Sequence, residues 1–174
     1  MNVFPKALLI VSALALAACN NPDRYGANGG ANGGANGMGG IDQSSLGGAG
    51  DPRSPAYFNQ TIGDKILFAV DTSTISPEAA QILSAQAQWL NTNTQYSAIV
   101  EGHADEQGTR EYNLALGARR ANAAQEYLIS QGVAGSRLRT VSYGKERPLE
   151  ACSTEACYAK NRRAVTVISL GAGS

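Results

Sequence analysis

The sequence has no excess charge of either sign and only one histidine, which is the side chain most often found as a metal ligand. Its 174 residues include 14 basic side chains, 14 acidic side chains and a single histidine. Balanced charge gives no summed field that would draw the chain to nucleic acid or to an anionic membrane. One histidine cannot supply the three or four ligands of a zinc site by itself. Recognition must therefore come from local groups of side chains, and we predict neither a cofactor nor a metal.

Long hydrophobic runs are also lacking. Lys6 precedes an apolar run over residues 7–17, which is too short to cross a bilayer that needs about 20 residues. A positive charge, a short apolar run and small residues before a cleavage site are features of a secretory signal peptide. We predict a signal peptide over residues 1–18, with no membrane-spanning segment after it.

The end of this signal, Leu16-Ala-Ala-Cys19, resembles the lipobox of bacterial lipoprotein precursors. The resemblance implies that Cys19 becomes the first mature residue and carries lipid. The alternative is a small apolar residue at the end of the signal. Several acyl chains anchor a protein where one holds only marginally. Asn20 and Asn21 replace the aspartate that retains enterobacterial lipoproteins in the inner membrane, which favours the periplasmic face of the outer membrane.

Residues 19–55 contain few side chains that could form a core. They include Ala27-Asn-Gly-Gly, Ala31-Asn-Gly-Gly and Ala35-Asn-Gly. Such a segment buries too little apolar surface to offset its ordering entropy, so we predict a disordered tether. About 36 flexible residues span roughly 30–36 Å. This composition is compatible with a flexible linker whose reach matters for function, and equally with a spacer whose length has no function.

The composition becomes globular from about Pro55, and we predict one domain over residues 56–170 with a tail over 171–174. An apolar run over residues 65–70 has the length of a strand. Ser76-Pro-Glu78 marks a helix start, because it combines an N-cap serine, a proline at the first helical position and an acid in the first turn. Apolar residues at helical spacing follow, and they place Trp89 in the core rather than in a ligand site.

The rest of the domain alternates strands with helices. We predict strands over 96–101, 138–143 and 164–168, a helix over 109–131 that Gly132 ends, and a short helical turn over 155–161. The order β-α-β-α-β-(α)-β predicts an α+β (α/β-like) two-layer sandwich with its helices packed on one sheet.

Residues 101–121 contain polar side chains suited to a binding site. This stretch is predicted to form the end of a strand, a polar turn between Gly102 and Gly108, and a helix. Asn113, Leu116 and Arg120 are separated by three and four residues, so they share one helical face. An amide, an apolar contact and a guanidinium beneath a turn that bears Asp105 can recognise a small ligand.

Here the sequence resembles the OmpA-like peptidoglycan-binding family, over about residues 60–170. The most specific segments are Gly102-His-Ala-Asp-Glu-Gln-Gly108, Glu111-Tyr-Asn-Leu-Ala-Leu-Gly117, Thr140-Val-Ser-Tyr-Gly-Lys-Glu-Arg-Pro148 and Lys160-Asn-Arg-Arg-Ala-Val165. The lipobox in front makes the chain more similar to lipoprotein members than to porin-fused or motor-stator members. The resemblance implies a mixed sheet and a protein that tethers the outer membrane to peptidoglycan.

The resemblance further implies that the ligand is the meso-diaminopimelate of the stem peptide, with Asp105 facing its ammonium group and Arg120 its carboxylate. A guanidinium matches a carboxylate through two parallel hydrogen bonds, and an acceptor-only carboxylate suits an ammonium group. Taken alone, this charge pair would be an ordinary surface ion pair. The other site residues that the resemblance implies are Phe68, Asp71 and Thr72 as a wall, with Asn113 and Leu116 on the helix side. Val70 departs from the family, in which an aromatic residue is common at that place.

Two other functional classes compete with a simple tether. By resemblance, lipoprotein members dock the TolB propeller and contact TolA in a system that draws the outer membrane inward at division, so an interaction hub is one alternative. An enzyme is the other, because Glu101, Asp105 and Glu106 lie near His103 and could form an acid–base site. A muramidase or amidase needs two positioned carboxylates or a metal, and neither set is complete. We predict a protein that is not an enzyme, in which His103 holds the turn by hydrogen bonds.

Two adjacent arginines lie near the C-terminus of the domain. Arg162 and Arg163 precede the last strand, where side chains alternate, so one is expected to face the ligand and the other solvent. An ion pair within the domain is equally compatible with their position.

Cys152 and Cys157 lie in a polar loop of an exported domain and are expected to form a disulfide. The alternatives are two independent buried thiols or a metal pair that lacks further ligands.

Overall fold

The computed structural model describes residues 48–171, so the predicted signal peptide, Cys19 and most of the predicted tether lie outside it. Its elements, in chain order, are α1 (Pro55–Tyr57), a π-helical segment (Phe58–Gly63), β1 (Lys65–Leu67), α2 (Pro77–Thr92), β2 (Tyr96–His103), α3 (Arg110–Ser130), a 3-10 turn (Gly135–Arg137), β3 (Leu138–Gly144), α4 (Glu155–Asn161) and β4 (Arg163–Leu170). The predicted α+β class and the predicted order of strands and helices are confirmed. The first strand is shorter than predicted, and the helical segment before it was not predicted.

One sheet of four strands forms a single layer, in the order β1-β4-β2-β3. β4 runs antiparallel to both β1 and β2, whereas β2 and β3 are parallel and are connected through α3. The sheet is therefore mixed, as predicted, and helices pack on it as the second layer. Among residues 48–171, no helix has the length and apolar character that a membrane crossing requires.

The core forms where α2 and α3 lie on the sheet. Leu83 and Leu90 of α2 and Leu128 of α3 are fully buried there. Trp89 is also a core residue, as predicted, and its ring nitrogen donates to the Pro52 carbonyl at 2.7 Å. Phe58 of the π-helical segment packs on Trp89 with ring centroids 4.9 Å apart. The helical segment before β1 thus closes one end of the core.

The two long helices begin at the residues from which their starts were predicted, and α3 ends where Gly132 was predicted to end it. The Ser76 hydroxyl accepts from the Ala79 amide at α2, and the Thr109 hydroxyl accepts from the Tyr112 amide at α3. Each side chain satisfies one of the amides that a helix start leaves without a partner. Gly132 follows α3 with a φ of 92°, in the left-handed region that glycine adopts without strain.

α3 approaches β2 closely because glycines face each other. A Cβ atom on Gly102 would lie 1.8 Å from the Gly117 carbonyl oxygen, and one on Gly117 would lie 2.8 Å from the Gly102 carbonyl oxygen. Both distances are too short for non-bonded atoms, so neither position has room for a side chain. This contact brings the first turns of α3 against the end of β2, where the candidate site lies.

The predicted disulfide is present. It joins Cys152 to Cys157, with Cα atoms 5.9 Å apart, and encloses the start of α4. The bridge therefore braces the short helix that leads into β4.

Candidate functional site

A cavity of about 290 Å³ opens between the loop after β1, the turn after β2 and the first turns of α3. It is lined by Val70, Asp71, Asp105, Gln107, Gly108, Tyr112, Asn113, Leu116 and Arg120. The predicted helical face is therefore confirmed as a shared face, since Asn113, Leu116 and Arg120 all line one cavity beneath the turn that carries Asp105.

The predicted wall after β1 is only partly correct. Asp71 lines the cavity, but Val70 stands beside it in place of Phe68 and Thr72. Phe68 is a core residue, and its ring lies 5.2 Å below the guanidinium carbon of Arg120. Thr72 presents its backbone carbonyl to the same guanidinium. Phe68 and Thr72 therefore do not line the cavity but contact Arg120, which does.

Arg120 is fully buried, with 0% of its surface exposed. Its Nε donates to the Thr72 carbonyl at 2.8 Å, Nη1 to the His103 carbonyl at 2.8 Å and Nη2 to the Ala69 carbonyl at 3.1 Å. One guanidinium thus joins the loop after β1 to the end of β2. A guanidinium has five N–H donors, and the described residues accept from three of them, which leaves one hydrogen on each Nη atom.

Burial lowers the pKa of Arg120 to about 10, although the nearby Asp105 carboxylate opposes the shift. The side chain remains protonated at neutral pH, because that value lies well above 7. A buried positive charge with two uncommitted hydrogens therefore stands at the floor of the cavity.

Asp105 does not pair with Arg120, so the simple surface ion pair considered above is not formed. Instead, its Oδ2 accepts from Arg162 Nη1 at 3.1 Å, and its Oδ1 accepts from the Gln107 amide at 3.2 Å. The residue is 8% exposed and lines the cavity. Both of its oxygens are held in place and still have lone pairs for a ligand.

The expectation that Arg162 or Arg163 faces solvent is wrong, because both are buried. Arg162 precedes β4 and has φ −73° and ψ 81°, so the alternation of an extended strand does not apply to it. It bonds to Asp105 and Glu155, while Arg163 donates to the Arg147 and Asn161 carbonyls. The alternative of an ion pair within the domain is the one the structure adopts at Arg162.

Asp71 and Tyr112 form one rim of the cavity. Asp71 has a φ of 54°, an unusual backbone conformation for a residue other than glycine, and its carboxylate accepts from the Tyr112 hydroxyl. Sequence reasoning overlooked Tyr112. A signal was present, because Tyr112, Leu116 and Arg120 follow one another at intervals of four residues.

His103 is buried, but not in the manner predicted. Neither ring nitrogen has a hydrogen-bond partner among the described residues, so the expectation that this ring holds the turn by hydrogen bonds is wrong. Glu101 lies 3.6 Å from Nε2, and the Tyr143 ring lies 5.5 Å away between centroids. Burial, aided by the positive charges of Arg163 and Arg147, lowers the pKa of His103 to about 4. The neutral ring acts as a packing element.

The carboxylates near His103 do not converge on an acid–base site. Asp105 is engaged by Arg162, and Glu106 accepts from the Asn161 amide at 2.8 Å. Within residues 48–171, no cluster of three or more histidine, cysteine or acidic side chains is arranged to hold a metal ion. The arrangement is one that can hold a small charged ligand through fixed groups of both signs.

Comparisons with known proteins find similar sequences and a similar fold. The OmpA family matches residues 67–162. The peptidoglycan-associated lipoprotein of Mesorhizobium japonicum is 51% identical over 176 residues, covering 98% of this chain and 94% of that protein. The protein of the same name from Agrobacterium fabrum is 47% identical, over 97% of this chain and 89% of the relative. The crystal structure of the peptidoglycan-associated lipoprotein from Burkholderia pseudomallei has a TM-score of 0.62 at 36% identity and covers 70% of this chain and 98% of that chain.

Proposed function

This chain belongs to the OmpA family, and from that premise we propose that it binds peptidoglycan non-covalently and tethers the outer membrane to the cell wall. Relatives that align with almost its whole length are named peptidoglycan-associated lipoproteins. Two features of the chain support such a role: residues 16–19 resemble a lipobox, and the folded domain has a cavity lined by charged side chains.

The ligand we propose is the meso-diaminopimelate side chain of the stem peptide. One observation carries this proposal: Asp105 and Arg120 line the same cavity but do not neutralise each other. The Asp105 carboxylate can accept from the ligand's ammonium group. The two uncommitted hydrogens of Arg120 can donate to its carboxylate. Asp71, Asn113 and Leu116 complete the lining on either side, with Phe68 and Thr72 supporting Arg120 from behind.

We propose binding without catalysis. Cleavage of the sugar polymer requires two positioned carboxylates, one as an acid and one as a base or nucleophile. Two carboxylates line this cavity, and both are engaged: Asp105 accepts from Arg162, and Asp71 accepts from the Tyr112 hydroxyl. Glu106 lies outside the cavity lining and accepts from Asn161. These contacts hold the carboxylates in fixed positions, each beside a donor, which favours retention of a cation over proton transfer.

Acyl chains on Cys19 are proposed to anchor the protein in the outer membrane, on the periplasmic face. The mature protein is expected to carry acyl chains and to partition into detergent, and replacement of Cys19 by Ala is expected to block lipid attachment, which mass spectrometry measures. An unmodified, soluble mature protein in the periplasm of the native cell would contradict lipid anchoring at this position.

TolB and TolA are the proposed protein partners, in a Tol-Pal system that acts in envelope integrity and cell division. The segment over residues 140–148, which resembles lipoprotein members of the family, supports this assignment. Co-purification of TolB with the full-length protein from detergent-solubilised envelopes tests it, and absence of TolB would count against it.

The tether itself can be tested by sedimenting the full-length protein with purified sacculi in detergent. We expect the protein to pellet with the sacculi and to release no muropeptides. Asp105→Asn should reduce pelleting, whereas Asp51→Asn, which alters an exposed ion pair with Arg53 outside the cavity, should not. Release of muropeptides would indicate an enzyme, and failure to pellet would contradict the proposed function.

A further inference from the structure

Arg162 lies behind the cavity, where it links three parts of the fold. Its Nη1 donates to Asp105 at 3.1 Å, its Nη2 donates to Glu155 at 2.5 Å, and its Nε donates to the Phe68 carbonyl at 3.3 Å. The Arg162 side chain is 5% exposed and does not line the cavity. Any effect of Arg162 on a ligand must therefore pass through the residues that it holds.

Asp105 is the residue through which Arg162 can act on a ligand. Of its two carboxylate oxygens, one is bound by Arg162 and the other by the Gln107 amide. The amide fixes one oxygen only, so rotation of the carboxylate is restrained by the guanidinium. A binding group that is already oriented loses less conformational entropy when the ligand arrives.

Glu155 in turn holds Arg162 from the opposite side. It is the first residue of α4, and its side chain is 66% exposed. No side-chain cap bond from Thr154 supports the start of this seven-residue helix. The Cys152–Cys157 disulfide instead spans the position of Glu155, so a covalent bridge holds the turn from which its carboxylate reaches Arg162.

We propose that Glu155 and Arg162 are positioning residues for Asp105, and that the Cys152–Cys157 disulfide keeps Glu155 in place to perform this role. This inference rests on the proposed function, because it assigns the residues that orient the ammonium-binding group of the same cavity. It also gives the disulfide a role in ligand affinity in addition to its role in stability.

The positioning role of Glu155 can be separated from support of the fold, because its carboxylate is 66% exposed and Arg162 keeps its bond to Asp105 when that carboxylate is removed. Contacts of exposed carboxylates contribute little to stability. Loss of the Glu155 carboxylate should leave the folded state nearly intact, yet allow the guanidinium of Arg162 and the carboxylate of Asp105 to reorient. Ligand affinity should therefore fall while the denaturation midpoint stays nearly unchanged. A residue that served only the fold would show the reverse.

The test titrates the full-length protein in detergent micelles with a stem peptide that contains meso-diaminopimelate. Glu155→Gln should weaken binding about three- to tenfold, which is less than the loss of a charge-assisted contact to the ligand itself, because Glu155 acts on Asp105 only through Arg162. Glu150→Gln is the matched control, because Glu150 pairs with Lys160 of the same short helix at 3.0 Å and does not contact Arg162. It should bind like wild type.

The disulfide is tested with the double replacement Cys152→Ser, Cys157→Ser. This variant should lose about the same affinity as Glu155→Gln, and the two changes together should cost no more than either alone, because both act through Glu155. An additive loss would overturn the assigned role of the disulfide.

A double-mutant cycle with Asp105→Asn shows whether the effect passes through Asp105. In the Asp105→Asn background, Glu155→Gln should no longer change affinity. An unchanged affinity of Glu155→Gln in the wild-type background, or an equal loss in both backgrounds, would overturn the positioning role while leaving the proposed function in place. Failure of the wild-type protein to bind the peptide would overturn the proposed function and this inference with it.

Discussion

At the scale of single residues, Arg120 serves the fold and the proposed site at once. Its three hydrogen bonds to the carbonyls of Ala69, Thr72 and His103 mean that substitution affects more than a ligand contact. The bond to His103 is buried, and the bonds to Ala69 and Thr72 are partly buried. A buried carbonyl that loses its donor costs about 1–3 kcal/mol, and a partly buried one costs less. Weaker binding by an Arg120 variant is therefore interpretable only when its stability is known.

Arg120→Lys is expected to lower the free energy of unfolding by at least about 2 kcal/mol, because an ammonium group cannot reproduce the planar fork that reaches three separated carbonyls. Urea denaturation followed by circular dichroism measures this. Arg119→Lys is a suitable control, since the neighbouring Arg119 makes no hydrogen bond to those carbonyls and its guanidinium lies 5.9 Å from the Tyr112 ring. Equal stability of Arg120→Lys and wild type would show that the three bonds matter little.

His103 is expected to make the domain sensitive to mild acid. In the folded protein its pKa is about 4, lowered chiefly by burial, whereas an unfolded histidine titrates near 6.5. The unfolded chain therefore binds a proton that the folded protein excludes. The stabilising contribution is complete above about pH 6.5 and is lost progressively as the pH falls from there to about 4, for a total of roughly 3 kcal/mol.

The measurement compares the unfolding free energy at pH 7 and pH 4.5 in wild type and in His103→Phe. Glu101, Arg147, Arg163 and the Tyr143 ring surround the ring at position 103 in both proteins, so their own contributions are largely shared. Wild type should lose more stability than the variant. Identical losses would mean that His103 is not the residue that titrates.

At the scale of secondary-structure elements, the contact between β2 and α3 positions the cavity. Gly102→Ala would place a Cβ atom 1.8 Å from the Gly117 carbonyl oxygen, so α3 must move or the domain must unfold. We expect a loss of about 3 kcal/mol or more, at the upper end of overpacking costs. Gly50→Ala is the control, because nothing lies within 4 Å of its Cβ position. Similar stability of the two variants would contradict the close approach.

The disulfide braces α4, and its removal tests how much that short helix depends on it. Closing so short a loop stabilises by about 2 kcal/mol in the chain-entropy model. The Cys152→Ser, Cys157→Ser protein should unfold at a correspondingly lower urea concentration. Thiol titration of the unfolded, unreduced wild-type protein should find both cysteines blocked, and two free thiols would contradict the bridge.

Elements that carry their own start and stop signals were the ones that the sequence predicted well. Ser76 with Pro77 marks the start of α2, and Gly132 marks the end of α3, because these residues act on the backbone within one turn. The helical segment before β1 was missed, since it is short and packs on the core through Phe58 and Trp89, which are 31 positions apart. Such contacts are set by tertiary packing and not by local pattern.

At the scale of the whole molecule, the parts of the candidate site that depend on local spacing could be predicted, whereas the parts that depend on tertiary contacts could not. The face formed by Asn113, Leu116 and Arg120 follows from helical spacing, so it could be predicted. Two other features of the site could not be predicted: the hydrogen bonds from Arg120 to backbone carbonyls, and the pairing of Asp105 with Arg162. These contacts join segments up to 57 residues apart. The wall formed by Val70 and Asp71 depends on a loop conformation for which the sequence carries no local signal.

The two ends of the chain have separate roles in the proposed tether. Cys19 is the expected lipid attachment point, and the cavity that includes Asp105 and Arg120 is the expected attachment point to the wall. Balanced charge over the whole chain means that long-range attraction contributes little, so retention on peptidoglycan depends on the chemistry of this cavity. The central claim is therefore one about ligand selectivity.

The most direct test varies the ligand rather than the protein, since that leaves the folded state untouched. Calorimetric titration of the full-length protein in detergent should compare stem peptides that carry meso-diaminopimelate or lysine at the third position. Lysine keeps the ammonium group for Asp105 but lacks the carboxylate for Arg120. Losing that charge-assisted contact should weaken binding by about ten- to a hundredfold. Equal affinity for the two peptides would contradict the assignment of Asp105 and Arg120 as the diaminopimelate site.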